Sequence, residues 1–389
     1  MKIAFVCDAY IPVPSGTAVS VETLRITFEK LGHQVYIFAP KYRGLKVKEK
    51  RVARLPGIFK LSDKYHPRIW PTANPSKELI KKLKIDIVHS HYFFSTFPFA
   101  KKLADFCGAP LVNTYYKVMP EYARQFPDKF SFGLRSNYSK VFDKVLRYSN
   151  SCDQIVALSQ TSKEYYIDMG VNVPIEVLPV GIFPKDYISY PPNAMKERFK
   201  IPENRKVLLY VARLEPDCNF VFLLKAFKKI WRAIDDVHLL IIGGGSKLDE
   251  YRQIARHQTF GKFVTLAGYL PKNQVNRIYG TADVFIYPKT LDPQPLVVLE
   301  SMAAGTPVVC ARGFGAQEFV SGDEDGLVSK PTIEDFSEKT IDILRRDKMR
   351  LELSMRARVN VKNFKASNLT QDLLHLYETL KKQKKNNLF

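Results

Sequence analysis

The sequence shows no membrane-spanning run, no low-complexity composition and no signal-peptide pattern, so a folded protein without a membrane span is expected. Its 389 residues contain no uncharged apolar run near the roughly 18 residues that a membrane span needs. Hydrophobic residues make up 46% and charged residues 25%, which excludes a low-complexity or wholly disordered chain. The N-terminal apolar run is shorter than the core of a signal peptide, so no secretion signal is expected.

Cysteine is scarce, and acidic residues are outnumbered by basic ones. The five cysteines are scattered and form no Cys-x-x-Cys pair, which argues against a disulfide framework or a zinc site and favours a reducing cytoplasm. His89 and His91 are a close pair without a third ligand nearby, so no metal is expected. The net charge of +21 indicates an anionic partner. No zinc spacing, recognition helix or RNA-binding aromatic motif accompanies it, so nucleic acid is not expected.

The strand pattern predicts two α/β domains. Short β-branched runs alternate with segments of helical period, which is typical of β-α units forming parallel sheets. In the first half the predicted strands are residues 2–7, 34–39, 85–90, 110–114, 154–158 and 175–179. In the second half they are residues 206–212, 238–243, 263–267, 283–288, 307–311 and 326–329.

A proline-rich segment separates the two sets of strands, and we place the domain boundary near residues 183–203. The expected architecture is two doubly wound, Rossmann-like domains, residues 1–185 and 200–368, facing each other across a cleft. A C-terminal helix at about residues 369–385 is expected to pack back on the first domain. Because such sheets bind ligands outside the carboxyl ends of their strands, the site is expected in the cleft between the two domains.

Two glycine-containing loops follow predicted strands. Gly16 precedes a helix, and free N–H groups at a helix start favour a phosphate or an activated substrate; a plain strand-to-helix turn is the alternative. Gly243, Gly244 and Gly245 follow a buried strand, where they allow a tight turn and close contact with a nucleotide. Neither loop reads Gly-x-Gly-x-x-Gly, so a dinucleotide fingerprint is absent.

Two carboxylates lie eight residues apart near a predicted helix. Pro295 suits the helix start and Gly305 its C-terminal cap. Asp292 in the entry loop and Glu300 within the helix could both face a polyhydroxyl ligand. Glu300 lies amid apolar residues, and a buried carboxylate requires donors, which sugar hydroxyls supply. The alternative is that Glu300 merely pairs with an arginine.

Six landmarks occur in the order typical of one enzyme family. They are Gly32-His33, Asp86-Ile-Val-His-Ser-His, the loop at Gly243, Gly268-Tyr269, Ala282-Asp283-Val-Phe-Ile-Tyr-Pro and Leu299-Glu-Ser-Met-Ala-Ala-Gly-Thr-Pro-Val-Val. Over about residues 1–375 the chain resembles the family-four retaining glycosyltransferases of the GT-B fold. The segments beginning at Tyr115 and Pro174 are similar to the branch that glucosylates diacylglycerol.

This resemblance implies transfer of a hexose from a nucleotide diphosphate sugar to a lipid or glycan acceptor, without a metal or cofactor. It implies that the first domain binds the acceptor and the second the donor. It assigns the ribose to Glu300, the donor sugar to Asp292 and the diphosphate to Arg213. The catalytic residues expected are Arg213, Asp292 and Tyr116. The donor-binding residues expected are Gly16, Arg213, Gly244, Gly245, Tyr269, Asp292, Leu296 and Glu300.

Four residues depart from the family pattern. The family usually has Gly at Ala212, Lys at Cys218, Glu at Asp292 and His at Tyr116. Loss of the lysine removes a charge-assisted contact to the diphosphate of roughly 1.5–3 kcal/mol. The Tyr116 hydroxyl can still hydrogen-bond a sugar or a phosphate. A catalytically inactive relative that binds a glycan, nucleotide or lipid head group as an adaptor is therefore the alternative.

Basic residues also predict contact with an anionic membrane surface. Between residues 124 and 147 apolar side chains recur at helical spacing with basic ones beside them, which is typical of an interfacial helix or of a helix packed on its own sheet. The cluster at residues 41–51 and the lysine tail at 381–385 would add about 1 kcal/mol per charge near anionic lipid. A peripheral location on the cytoplasmic face of a membrane is expected. The residues proposed for the acceptor or the membrane are Glu121, Arg135, Lys140 and Lys144.

Overall fold

The computed structural model describes residues 1–13, 15–42, 49–58, 68–69, 83–92, 96–118, 138–187 and 192–386. Its described residues form two compact units. The first contains the chain up to Gly181 together with the segment from Ala366 onward, and Ile182–Lys365 forms most of the second. The chain enters the second unit at Ile182, whose N–H donates to the Phe364 carbonyl oxygen of the same unit at 2.9 Å.

The first unit is built on a parallel sheet of seven strands in the order β3-β2-β1-β6-β7-β8-β9. Its strands β6, β7 and β8 are buried along their length, as is usual for a sheet covered on both faces. A short antiparallel pair, β4 with β5, lies outside this sheet. The strands are β1 Lys2–Val6, β2 Gln34–Pro40, β3 Val52–Leu55, β4 Gly57–Ile58, β5 Arg68–Ile69, β6 Ile87–Ser90, β7 Leu111–Thr114, β8 Gln154–Ala157 and β9 Ile175–Val177. The helices between them are α1 Gly16–Lys30, α2 Phe97–Cys107, α3 Tyr138–Ser149 and α4 Gln160–Asp168.

The second unit is built on a parallel sheet of six strands in the order β12-β11-β10-β13-β14-β15. The order reverses between β10 and β13, which makes the loops after these two strands the expected ligand region. The strands are β10 Lys206–Val211, β11 Val237–Ile242, β12 Val264–Gly268, β13 Val284–Tyr287, β14 Val308–Ala311 and β15 Gly326–Ser329. The helices are α5 Pro192–Arg198, α6 Phe220–Ala233, α7 Leu248–Arg256, α8 Lys272–Ile278, α9 Leu296–Ala304, α10 Ile333–Arg345 and α11 Asp347–Asn360.

The last helix, α12 (Ala366–Asn386), packs on the first unit. Leu373, Tyr377 and Leu380 are buried in the core of that unit, and the Tyr377 ring stacks on Phe28 with centroids 5.5 Å apart. Two lysines of its basic tail are held by carboxylates of the same unit. Lys381 Nζ lies 2.6 Å from Asp86, and Lys384 Nζ lies 2.8 Å from Asp153. These two lysines therefore fix the helix to its own unit.

Two parallel-sheet, Rossmann-like units confirm the α/β fold class read from the sequence. Each predicted strand is present, with its ends shifted by two residues or fewer. The edge strand β3 was not predicted, because its residues Val52–Leu55 are only half-buried and carry no continuous apolar run. Among the described helices, none has the length and the apolar composition needed to cross a membrane.

Candidate functional site

The loops after β10, β11 and β12 meet at the carboxyl edge of the second sheet, and glycines make their contact possible. Gly243 has a φ of +146°, and a Cβ there would lie 1.8 Å from the Ala212 carbonyl oxygen. A Cβ at Gly245 would lie 2.2 Å from the Leu214 carbonyl oxygen. The Leu214 N–H donates to the Gly244 carbonyl oxygen at 2.9 Å. Gly243 and Gly245 thus permit a close approach to the backbone of Ala212 and Leu214. These residues belong to the protein's own loop after β10, which we call the Arg213 loop.

Four of the predicted donor residues lie at this edge, Gly245 among them. Arg213 lies two residues after the end of β10 and is half-buried. Gly244 packs against Tyr269, since a Cβ at Gly244 would lie 3.3 Å from the Tyr269 Cβ. Tyr269 is 58% exposed, so its ring offers an open aromatic face beside the glycine loop. A nucleotide base can stack on such a face.

Asp292, in the loop after β13, belongs to a compact charged cluster. Its carboxylate accepts a hydrogen bond from the Tyr287 hydroxyl at 2.5 Å and lies 2.8 Å from Lys289 Nζ. The same ammonium lies 3.2 Å from Asp217 in the loop after β10. Only 12% of the Lys289 side chain and 5% of the Asp217 side chain are exposed. Lys289 therefore holds a nearly buried positive charge between two carboxylates at the point where the strand order reverses.

The Asp292 loop is fixed from its other side by the segment after β14. The Phe314 N–H donates to the Thr290 carbonyl oxygen at 2.8 Å. A Cβ at Gly315 would lie 1.7 Å from the Pro293 carbonyl oxygen, so only glycine fits there. Asp292 is consequently held on a braced loop, although the prolines around it predict no regular element.

Glu300 lies on α9 and is 7% exposed. Its carboxylate accepts a hydrogen bond from the Tyr279 hydroxyl at 2.8 Å and lies 3.3 Å from Lys272 Nζ. The Tyr187 hydroxyl also donates to it; burial and this carboxylate raise the pKa values of Tyr187 and Tyr279 well above the ordinary range, so both remain donors. Glu300 thus pairs with a lysine where the alternative named an arginine.

Two further positions of the second unit that the sequence analysis named, Leu296 and Cys218, are buried. Leu296, predicted to bind the donor, is the buried first residue of α9. Cys218, where the family usually has lysine, is fully buried, and burial raises its thiol pKa to about 11. The Tyr251 side chain lies beside this thiol, and its hydroxyl donates to the Glu215 carbonyl oxygen at 3.3 Å. Cys218 therefore presents no charge to the edge of the sheet.

In the first unit, Gly16 is the first residue of α1. The preceding Ser15 caps the helix, because its hydroxyl accepts a hydrogen bond from the Ala18 N–H at 3.1 Å. A Cβ at Gly16 would meet no atom within 4 Å. The backbone here does not require glycine, which fits the plain strand-to-helix turn as well as an anion site.

Tyr116, predicted as catalytic in place of a histidine, lies beside two buried imidazoles. His91 Nδ1 and the Tyr116 hydroxyl are 3.0 Å apart, and the His91 ring stacks on His89 with centroids 4.2 Å apart. His89 contacts the Thr114 and Tyr377 hydroxyls. Burial lowers the pKa of His91 to about 3 and raises the pKa of Tyr116 above its ordinary range. Both groups are neutral at physiological pH.

The basic helix predicted to contact a membrane is α3. Val141 and Val145 are buried in their own unit, and Tyr148 stacks on Phe97 with centroids 4.6 Å apart. This part of the apolar stripe therefore packs internally, as the alternative held. Lys140 is exposed and Lys144 lies 5.5 Å from the centre of the Tyr148 ring. Glu121 and Arg135 lie outside the described residues, as do residues 43–48 of the first basic cluster.

Sequence reasoning missed Asp217, Lys289 and the tyrosines that bind the carboxylates. Lys289 directly follows Pro288, the last residue of a predicted strand. This position at a strand end was the sequence signal that could have identified Lys289 as a site residue. Its contact with Asp217 joins residues 72 positions apart, which no local pattern shows. Throughout the described residues, no group of three or more His, Cys, Asp or Glu side chains could hold a metal ion.

Two family models match consecutive parts of the chain. The model described as Glycosyltransferase Family 4 matches residues 14–185. The model described as Glycosyl transferases group 1 matches residues 193–360. The chain belongs to the family-four glycosyltransferases. Its two units therefore carry the GT-B fold, as the sequence landmarks indicated.

Relatives of this glycosyltransferase include enzymes named for lipid acceptors. The chain is 26% identical to the alpha-monoglucosyldiacylglycerol synthase of Streptococcus pneumoniae (strain ATCC BAA-255 / R6) over 79% of its length and 70% of the relative. It is 24% identical to the enzyme of the same name from Acholeplasma laidlawii over 84% of each chain.

Solved structures show the same fold at low identity. Sucrose-phosphate synthase from Thermosynechococcus elongatus matches with a TM-score of 0.79 and 19% identity, over 98% of this chain and 99% of that one. HepE from Anabaena, solved in complex with UDP, matches with a TM-score of 0.75 and 16% identity, over 97% of this chain and all of that one. These likenesses concern the fold alone.

Proposed function

We propose that this glycosyltransferase moves a hexose from a nucleotide diphosphate sugar to a diacylglycerol-type lipid or a glycan, with retention of configuration and without a metal. The proposed setting is the cytoplasmic surface of a membrane. The observation that carries the proposal is the charged edge of the second sheet, where Arg213, Lys289 and Asp292 lie on loops at its reversal point. The names of the two diacylglycerol glucosyltransferase relatives support the acceptor class.

Each residue at this edge of the sheet has its own proposed role in cleavage of the donor. The bond between the anomeric carbon and the diphosphate breaks, the acceptor oxygen bonds to that carbon on the same face, and the acceptor proton passes to the departing phosphate oxygen. Negative charge grows on the leaving group, so a fixed cation such as Arg213 stabilises the transition state. Asp292 lies where it can accept from a sugar hydroxyl, and the exposed Tyr269 ring can stack on the base.

Lys289 is the proposed source of the positive charge for the diphosphate, because the neutral Cys218 thiol carries none. It approaches the same loop from β13, with its ammonium 3.2 Å from Asp217, the residue directly before Cys218. A nearly buried ammonium is already desolvated, so an added phosphate oxygen can interact with it at low local dielectric. We propose that Lys289 is the second cation of the diphosphate site, beside Arg213.

A catalytically inactive, ligand-binding protein is the second candidate. It is favoured by Glu300, whose two oxygens are already engaged by Tyr279 and Lys272. It is favoured also by Tyr116, which is neutral and bound to His91. Both residues would then be structural.

One experiment separates the two candidates. The purified protein is incubated with radiolabelled UDP-glucose, UDP-galactose and GDP-mannose and with a panel of diacylglycerol and glycan acceptors. The expected result is a labelled product for at least one pair, lost in Arg213→Ala. Donor binding in calorimetry without transfer or hydrolysis across the panel would overturn the enzymatic proposal and leave the binding protein.

A further inference from the structure

Helix α11 carries apolar side chains on its solvent face. Leu351, Met355 and Val359 are 62%, 55% and 63% exposed, respectively. Residues spaced by four lie on one side of a helix, so these three form a continuous stripe of about 12 Å. We call it the α11 stripe. A surface helix normally presents polar residues to water, and the stripe is an exception.

The opposite face of α11 already makes the packing that this helix needs. Leu353 and Ala357 are buried. The Ser354 hydroxyl donates to the Gly305 carbonyl oxygen at 2.5 Å, and Arg358 donates to the Ala304 carbonyl oxygen at 3.0 Å, so the helix is tied to the end of α9. More than half of each stripe side chain is open to solvent, so the stripe contributes little to the packing of its own unit.

Basic side chains flank the stripe. Lys348, Arg356 and Lys362 are exposed, and none of them forms an ion pair with another residue in the described part of the chain. Glu352 beside them is half-buried. Asp347, also exposed on α11, is paired with Arg350 at 3.0 Å. The basic side chains outnumber these two carboxylates, so the surface around the stripe is positive and complements a negatively charged partner.

We propose that the α11 stripe and its basic flanks are a contact surface for an anionic lipid bilayer. The apolar side chains would enter the boundary between head groups and acyl chains while the lysines and arginine meet lipid phosphates, which is how an interfacial helix binds. The proposal places a membrane contact on the second unit, whereas the sequence suggested α3 of the first.

Self-association is disfavoured by the same observations. A two-fold contact through the stripe would bring two sets of basic flanks together, and like charges repel. Three apolar side chains are also far fewer than the roughly 20–30 residues that each partner contributes to a stable interface. A bilayer requires neither complementarity with a second copy nor a large area.

The proposal is tested by vesicle flotation. The stripe variant is Leu351→Ser, Met355→Ser and Val359→Ser together. The matched control is Leu31→Ser, Phe106→Ser and Ile167→Ser, which makes the same kind of change at exposed apolar residues of the first unit. Vesicles are pure phosphatidylcholine or an equal mixture with phosphatidylglycerol. We expect wild type and control to float with the mixed vesicles, and the stripe variant to bind about tenfold more weakly.

Charge and fold are tested in parallel. Lys348→Glu, Arg356→Glu and Lys362→Glu together should also weaken flotation, and binding of wild type should fall with added salt. Circular dichroism and calorimetric binding of UDP-glucose, compared with wild type, report whether each variant is folded. Unchanged flotation of a folded stripe variant, or wild type that binds no vesicle, would overturn the proposal. A stripe variant that changes only the oligomeric mass would also overturn it, in favour of self-association.

The proposed membrane contact depends on the proposed function only for its location at a membrane surface. An experiment can therefore contradict one proposal without contradicting the other. Transfer to a detergent-solubilised acceptor is expected to survive in the stripe variant. Vesicle binding that requires the stripe in a protein without any transferase activity would overturn the proposed reaction and support the membrane contact.

Discussion

At the scale of single residues, the second unit depends on charges that lie close together and out of water. Lys289 lies between Asp217 and Asp292, and Lys272 lies beside Glu300. The two lysines differ in exposure, at 12% and 47% of their side chains. Removing one partner of a buried ion pair is costly, whereas an exposed pair contributes little. This difference makes them a matched pair for mutation.

We expect Lys289→Met to destabilise the second unit by about 3 kcal/mol, because Asp217 stays buried after losing its ammonium. Lys272→Met should cost below about 1 kcal/mol, since Tyr279 and Tyr187 still donate to Glu300. Urea denaturation measures both. In calorimetry, Lys289→Met should weaken binding of UDP far more than binding of uridine. Equal losses for the two nucleotides would place the diphosphate elsewhere.

The stacked pair His89 and His91 makes the first unit sensitive to acid. Burial lowers the pKa of both imidazoles, that of His91 to about 3, while in the unfolded chain each has a pKa near 6.5. Between these values the unfolded state binds more protons. Stability of the first unit should therefore fall as pH decreases from about 6.5 toward 3, by up to about 1.4 kcal/mol per pH unit for each histidine.

His91→Phe tests this dependence while keeping a ring against His89. We expect a shallower pH slope than in wild type, measured by hydrogen exchange of the β6 and β7 amides between pH 4 and 7. A slope identical to that of wild type would mean that His91 does not contribute to the acid sensitivity.

At the scale of elements, glycines have different roles in the two units. Gly245 is packed against the Arg213 loop, whereas Gly16 at the start of α1 faces open space. The sequence proposed both as ligand-binding positions, because each lies in a loop after a predicted strand. Only the structure separates a glycine that the backbone needs from one that it does not.

We expect Gly245→Ala to displace the Arg213 loop, because its Cβ would lie 2.2 Å from the Leu214 carbonyl oxygen. Donor binding and thermal stability should both fall. Gly16→Ala should leave stability unchanged or raise it by about 0.4–1 kcal/mol, since it restricts the unfolded chain. Calorimetry and thermal denaturation measure both variants. A Gly245→Ala protein that binds the donor normally would show that the two loops can separate without consequence.

The C-terminal helix α12 is an element of the first unit, although it follows the second in sequence. Tyr377 is fully buried against Phe28, and His375 on the same helix is exposed. We expect Tyr377→Ala to cost about 3–5 kcal/mol and His375→Ala to have little effect. Limited proteolysis of α12 and chemical denaturation measure the difference. Equal protease resistance of the two variants would mean that Tyr377 does not anchor the helix.

At the scale of the whole molecule, the chain leaves the first unit and returns to it. The second unit contains its complete sheet within Ile182–Lys365. The first unit needs Leu373, Tyr377 and Leu380 from the end of the chain for its core. The two units should therefore differ in their ability to fold alone.

A fragment of residues 182–365 should fold by itself and unfold in one cooperative transition. A fragment of residues 1–181 should be unstable, because its core lacks the buried face of α12. Circular dichroism and thermal denaturation of the two fragments, each compared with the full chain, measure this. Cooperative unfolding of residues 1–181 at the temperature of the full chain would contradict the dependence on α12.

The sequence by itself determined the fold class, the strands and the family. Residues Leu239–Ile242 of β11 are a continuous apolar run, and the motif from Leu299 to Val309 has a local order that needs no tertiary information. Hydrophobic periodicity and turn residues determine structure over short stretches of sequence, so strands and helices can be predicted from a single sequence. The edge strand β3 was missed because half-buried residues leave a weak pattern.

The tertiary structure alone decided which polar side chains meet. Lys289 lies 72 residues from Asp217, and His89 lies 288 residues from Tyr377, so no spacing rule could pair them. It also decided that Gly245 packs on the Arg213 loop, that part of the α3 stripe is internal, and that the α11 stripe faces water. Burial and pairing between distant segments depend on how elements pack, and a linear pattern does not contain that information.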